Sequence, residues 1–174
     1  MNKKLITIAL VFLIAVSGAF AVTFPGTITA TLNATVGDFF YHGFGPSLTN
    51  TLSVTDAFAP TPPTIEYGYA TNVGGATIRF TITDFESGSN TIKIKSVSAI
   101  GGGSNLVWDT DANAYKLFVI ASTNTYTKRL ATITVVPART ADTVDHRGAA
   151  IDPSEKVENA TSGDYTATLT FSVT

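Results

Sequence analysis

Side chains able to do chemistry are sparse in this chain, and their spacing argues against most of it. Asp109-Thr-Asp-Ala-Asn113 has the D-x-D-x-N spacing that opens a calcium loop. Such a loop needs a glycine at its sixth position and a bidentate glutamate at its twelfth, but Ala114 and Ile120 stand there. The segment reads instead as a polar hairpin turn. The two histidines, His42 and His146, form no metal-spaced pair and no cysteine accompanies them. Asp145-His146-Arg147 falls in a charged stretch and reads as a solvated loop. No G-x-S-x-G, phosphate loop or H-E-x-x-H is present. The chain therefore reads as non-enzymatic, with no cofactor and no metal site expected.

Aromatic side chains offer a different chemistry. Phe39, Phe40, Tyr41, Phe44, Tyr67, Tyr69, Trp108 and Tyr126 could supply a stacking platform for a sugar. That requires exposed, coplanar rings. Trp108 and at least two tyrosines on one flat exposed face would mark a secreted carbohydrate-binding or adhesin module.

The bulk properties describe an exported protein. Of 174 residues, 14% are charged and none is cysteine. Asn2, Lys3 and Lys4 form a basic start, residues 5–16 an apolar run, and Ala19-Phe20-Ala21 a small-residue cleavage site. Residues 1–21 thus read as a cleaved secretory signal and 22–174 as a single domain. The apolar run is at the short limit for spanning a bilayer, so no stable membrane span is expected after cleavage. Secretion places the protein at the cell surface or outside it, through the periplasm in a cell that has one. Loss of Lys3 and Lys4 takes the formal charge from −2 to −4. With no basic stripe, nucleic acid is not an expected partner. Without disulfides, durability has to come from packing, ladder hydrogen bonds or assembly.

What must position these residues is β-structure. Residues 27–36 alternate strictly: Ile28, Ala30, Leu32, Ala34 and Val36 on one face, Thr27, Thr29, Thr31, Asn33 and Thr35 on the other. A second strand is expected near 49–55, and further strands at 64–71 and 77–84. A strand at 91–98 would pair with 77–84 as a hairpin, with a bulge near Ser96. Residues 106–108 and 115–121 flank the Asp109 turn, and 115–121 is apolar on both faces, as a central strand would be. Residues 126–136 alternate until Pro137. Residues 138–163 concentrate charge and read as a long exposed excursion, with Asp152-Pro153 starting a short helix. The chain ends in a strand with Tyr165, Ala167, Leu169, Phe171 and Val173 on one face. Seven to nine strands with at most one short helix predict an all-β fold, an immunoglobulin-like or Greek-key β-sandwich. The large aliphatic inward faces disfavour a small outer-membrane barrel, whose lumen is polar.

Three stretches carry a family resemblance: the alternation at 27–36, Tyr69-Ala-Thr-Asn-Val73 leading into 77–84, and Ser162-Gly-Asp-Tyr165 before the last strand. Together they resemble donor-strand-complemented pilins, namely alternate chaperone–usher fimbrial subunits and related spore-coat-like domains. Filament proteins of the TasA type share the general features. The aromatic segment 39–44 and the charged excursion depart from the pattern. The resemblance implies a sandwich that lacks one strand and receives it from a neighbour's N-terminal extension. Ile28, Leu32 and Val36 would then fill pockets, Ala30 and Ala34 would lie where the groove floor is close, and Pro25-Gly26 would be the hinge. The implied partners are further copies in a filament and a periplasmic chaperone. The simpler alternative is that 27–36 is the first strand of its own sandwich.

Overall fold

The structure is a computed structural model that describes residues 37–49, 58, 62, 64–122 and 125–174. All of them belong to the compact unit Gly37–Thr174. The signal at 1–21, the hinge Pro25-Gly26, the donor-face residues Ile28, Ala30, Leu32, Ala34 and Val36, and nearly all of the strand expected at 49–55 lie outside the described residues.

Ten strands are described, where seven to nine were expected; the surplus comes from three-residue pieces. In chain order they are β1 (Phe40–Phe44), β2 (Thr64–Thr71), β3 (Ala76–Ile82), β4 (Phe85–Ser87), β5 (Asn90–Ile92), β6 (Ile94–Ile100), β7 (Val107–Asp109), β8 (Ala114–Ile120), β9 (Thr127–Pro137) and β10 (Leu169–Val173). One antiparallel sheet has the order β1-β2-β9-β6, a second β10-β3-β8-β7, and β4-β5 is a small separate hairpin. Between the two larger sheets lies one apolar core. Tyr67, Ile94, Ala131 and Ile133 enter it from the first sheet, and Ile78, Phe80, Leu117 and Phe118 from the second. An interior filled this way is that of an all-β sandwich rather than a barrel lumen. Taken round the sandwich, β9-β6-β7-β8 follows the 4-1-2-3 order of a Greek key.

The residue patterns explain most elements. β2 and β9 send alternate side chains into the core: Ile65, Tyr67 and Tyr69 from one, Ala131, Ile133 and Val135 from the other. β8 is central, as its apolar run required. Its pairing with β3 shifts register after Ile78, so Leu117 is an extra residue and both Leu117 and Phe118 are buried. The bulge expected near Ser96 is also present, as a register shift between Ile94 and Ser96 opposite β9. Between β2 and β3 the chain turns through Gly74 and Gly75. Gly75 has φ +82°, and a Cβ on Gly74 would lie 1.9 Å from the Ala121 carbonyl oxygen, so neither position admits a side chain without rearrangement.

Two expectations need correcting. Residues 77–84 and 91–98 do not form a hairpin, because β3 and β6 belong to different sheets. The switch is built around Asp84. Its carboxylate accepts from the Ile94 N–H at 3.2 Å and holds the Lys93 ammonium at 3.0 Å. Lys93 is a break between strands: its N–H donates to the Glu155 carbonyl at 2.9 Å, and its carbonyl accepts from Ala138 N–H at 2.8 Å. Period-two alternation is the same for a strand beside its partner as for one facing it across the core, which is why the pattern did not separate the two cases. The excursion at 138–163 is exposed at most of its positions, as expected, but Asp145-His146 within it is packed against the sheets and not solvated. Ala138, Asp145, Ile151 and Lys156 are buried, and the His146 N–H donates to the Ile94 carbonyl at 2.9 Å. The expected helix is two 3₁₀ turns, Pro153–Glu155 and Val157–Asn159, with the Glu155 carboxylate accepting from the Asp152 N–H at 3.0 Å.

Candidate strand-acceptor edge

Among the described residues β10 is an edge strand, and its two sides are satisfied very differently. Towards β3 its backbone is locked well beyond the strand itself. Thr174 and Thr77 exchange hydrogen bonds of 3.0 and 2.7 Å, Thr83 N–H donates to the Thr168 carbonyl at 3.1 Å, and Thr166 and Glu86 exchange two of 3.0 Å. The even-numbered residues therefore direct their backbone groups towards β3 and, at Thr166, towards β4. In an antiparallel ladder alternate residues point the other way, so Ala167, Leu169, Phe171 and Val173 direct theirs to the outer edge. Among the described residues no strand pairs with that side.

The same odd-numbered residues carry the core-facing side chains. Leu169, Phe171 and Val173 stand opposite Ile82, Phe80 and Ile78. Those β3 partners are 2%, 0% and 0% exposed, whereas Leu169 and Phe171 are only half-buried and Val173 is 38% exposed. Apolar cover thus fails within one strand spacing. Across the sandwich the margin is β1, and its side chains are aromatic. Phe44 meets Phe171 edge-on at 5.6 Å, and Tyr67 behind it stacks on Phe171 at 3.5 Å. His42 Nδ1 is hydrogen-bonded to the Tyr67 hydroxyl, and burial pushes the Tyr67 pKa up, so this hydroxyl stays protonated. β1's own outer side is engaged where the chain turns back, with Phe44 and Thr49 exchanging hydrogen bonds of 2.8 and 2.9 Å. Among the described residues, the seam between β1 and β10 is therefore apolar, aromatic and open on the β10 side. A strand laid there would pair with the outward N–H and C=O groups and cover the flanks of Leu169, Phe171 and Val173.

The remaining sequence-selected residues are placed elsewhere. Asp109 to Asn113 form the β7–β8 hairpin turn, and the Asp109 carboxylate is committed to Lys116 at 3.2 Å and Arg79 at 3.5 Å. His146 faces Tyr115. Its Nδ1 is 2.6 Å from the Tyr115 hydroxyl, while the Asp145 carboxylate accepts from the N–H groups of Arg147 and Ala149, both at 2.8 Å. Burial lowers the His146 pKa and raises that of Tyr115. This cluster pins the excursion to the sheets. Trp108 shares no exposed flat face with two tyrosines: it packs edge-on against buried Tyr115 at 4.9 Å and lies 5.3 Å from the Arg147 guanidinium. Tyr67 and Tyr69 are core residues. Only Phe39, Tyr41 and Tyr126 come together near the surface, and the link between Tyr126 and the other two follows from strand register that sequence spacing does not reveal.

Comparison of the chain with protein-family models, with curated proteins and with solved structures finds no match.

Proposed function

We propose that the chain is a structural subunit of an extracellular filament or pilus, in which residues 27–36 of one copy add as a strand along β10 of the next. The observation that supports this is the β10 margin itself. Its odd-numbered residues combine outward-directed backbone groups with incompletely buried apolar side chains, which is the combination that strand addition satisfies at once. Residues 27–36 offer the complementary pattern: Ile28, Leu32 and Val36 as pocket-filling side chains, Ala30 and Ala34 between them, and threonines facing solvent. A contact from the front of one copy to the β10 edge of another is heterologous, and its repetition without ring closure gives a fibre.

Leu32→Asp tests the reading in the full exported chain, with sedimentation and electron microscopy as readouts. A carboxylate in an apolar groove costs several kcal/mol, and about 1.4 kcal/mol is a tenfold change in affinity. The wild type should form fibres and the variant should remain a folded monomer. A wild type that stays monomeric under all conditions, or a variant that polymerises equally well, would refute the reading.

A further inference from the structure

An exposed aromatic cluster lies at the start of β1. The Phe39 ring lies 5.6 Å from Tyr41 and 6.0 Å from Tyr126. Tyr41 is 63% exposed and Tyr126 62%. Two large rings this open, gathered round a third, form a patch of the kind that marks an interaction surface. Beneath it the backbone is clamped. Asn72 Oδ1 accepts from the Phe39 N–H at 2.8 Å, and Asn72 Nδ2 donates to the Gly37 carbonyl at 3.0 Å. The Thr71 hydroxyl donates to the Phe39 carbonyl at 2.8 Å. Gly37 and Phe39 are thereby tied to the end of β2.

We propose that Phe39, Tyr41 and Tyr126 form a second contact surface for a neighbouring copy of this chain, against the rim of the β1–β10 seam that receives Val36. The proposal rests on the donor-strand reading and adds a surface to it. Two residues, Gly37 and Asp38, separate Val36 from Phe39, and the three Cα steps reach at most about 11 Å in an extended chain. A copy that holds Val36 in its groove is thus brought against the aromatic cluster by covalent connection alone. Tyrosine suits the role: each ring offers a broad apolar face with little rotamer entropy to lose, and its hydroxyl can remain at the wet rim. The cluster would add area to the strand contact and restrict the angle between successive subunits.

Photo-crosslinking of assembled full-length chain tests this. The photoreactive analogue p-benzoyl-phenylalanine replaces Tyr41 or Tyr126, and, as a comparison, Val119 on the outer face of the other sheet. After irradiation and dissociation, positions 41 and 126 should give covalently joined pairs of chains several-fold above position 119, mapping to residues 40–44 or 166–174 of the second copy. Fibres that form without such capture, or capture only within one chain, would overturn the contact while leaving strand donation standing. Failure of the unsubstituted chain to form fibres would remove both.

Discussion

The β6 margin of one sheet and the β10 margin of the other are built from opposite chemistry. Along the start of β6 the chain supplies its own cover. The excursion after β9 lays Ala138, His146 and Glu155 against Lys93 and Ile94 through backbone hydrogen bonds. Charges then close the joint: Lys93 with Asp84 at 3.0 Å and Glu155 at 3.7 Å, and Lys95 with Asp142 at 3.1 Å. Ile92 and Ile94 beneath are fully buried. Along β10 there is no charged residue, and Leu169, Phe171 and Val173 are left partly open. A margin whose polar groups are tied to its own chain cannot add a strand without losing those bonds. An apolar margin with outward-directed ladder groups gains by adding one. The difference teaches that edge protection in this sandwich is selective.

Substitutions can break or sharpen that contrast. The largest effect is expected for Leu32→Asp, which should abolish fibres while leaving the denaturation midpoint of the monomer unchanged. Phe171→Ala removes a ring stacked on Tyr67 and packed on Phe44 and Phe80. It should destabilise the monomer by about 3 kcal/mol in chemical denaturation. Val173→Ala should cost the monomer less than about 1 kcal/mol, because much of that side chain is already in water; its loss should appear instead as a lower dissociation temperature of the fibres.

On the closed margin, Asp84→Ala strands the Ile94 N–H and leaves the Lys93 ammonium with only the longer Glu155 contact, and should cost about 2 kcal/mol, with no effect on fibre formation beyond that loss of stability. The smallest effect concerns pH. Burial is the first cause of the lowered His146 pKa; neighbouring Arg147 and Lys93 lower it further, while Asp145 and Asp84 raise it. A folded-state pKa below the unfolded value means that the unfolded chain binds more protons. The stabilisation is then full above the ordinary histidine pKa of about 6.5 and is lost as pH falls towards the folded value. Unfolding measured between pH 7.5 and 5 should therefore show a shallower decline in His146→Gln than in the wild type.

Much of the fold was legible in the residues because burial repeats along each strand. Residues 64–71 are β2, the apolar run at 115–121 marks central β8, and Pro137 ends β9. Alternation states which face a side chain takes, but not which strand lies beside it. That is why the hairpin between 77–84 and 91–98 was expected and the Asp84 switch was not. The charges at 138–163 were visible, yet what Asp142 and Glu155 pair with is Lys95 and Lys93, which are distant in sequence. The β10 face could be read from Leu169, Phe171 and Val173. Its openness could not, since that depends on what the rest of the molecule leaves uncovered. Phe39, Tyr41 and Tyr126 were each noted as aromatic, but pairing of β1 with β2 and of β2 with β9 is what brings Tyr126 to the other two.

The most direct measurement uses the absence of cysteine from the natural chain. One population carries Leu32→Cys, and a second carries Leu169→Cys, Phe171→Cys or Val173→Cys. Adjacent strands place same-face Cβ atoms close enough for a disulfide. Mixed under assembly conditions and oxidised, the two populations should form a disulfide between chains at one of the three positions, with fibres present. Fibres that assemble with no disulfide at any position, or a double variant that closes its disulfide within a single chain, would contradict donation of residues 27–36 to the β10 edge.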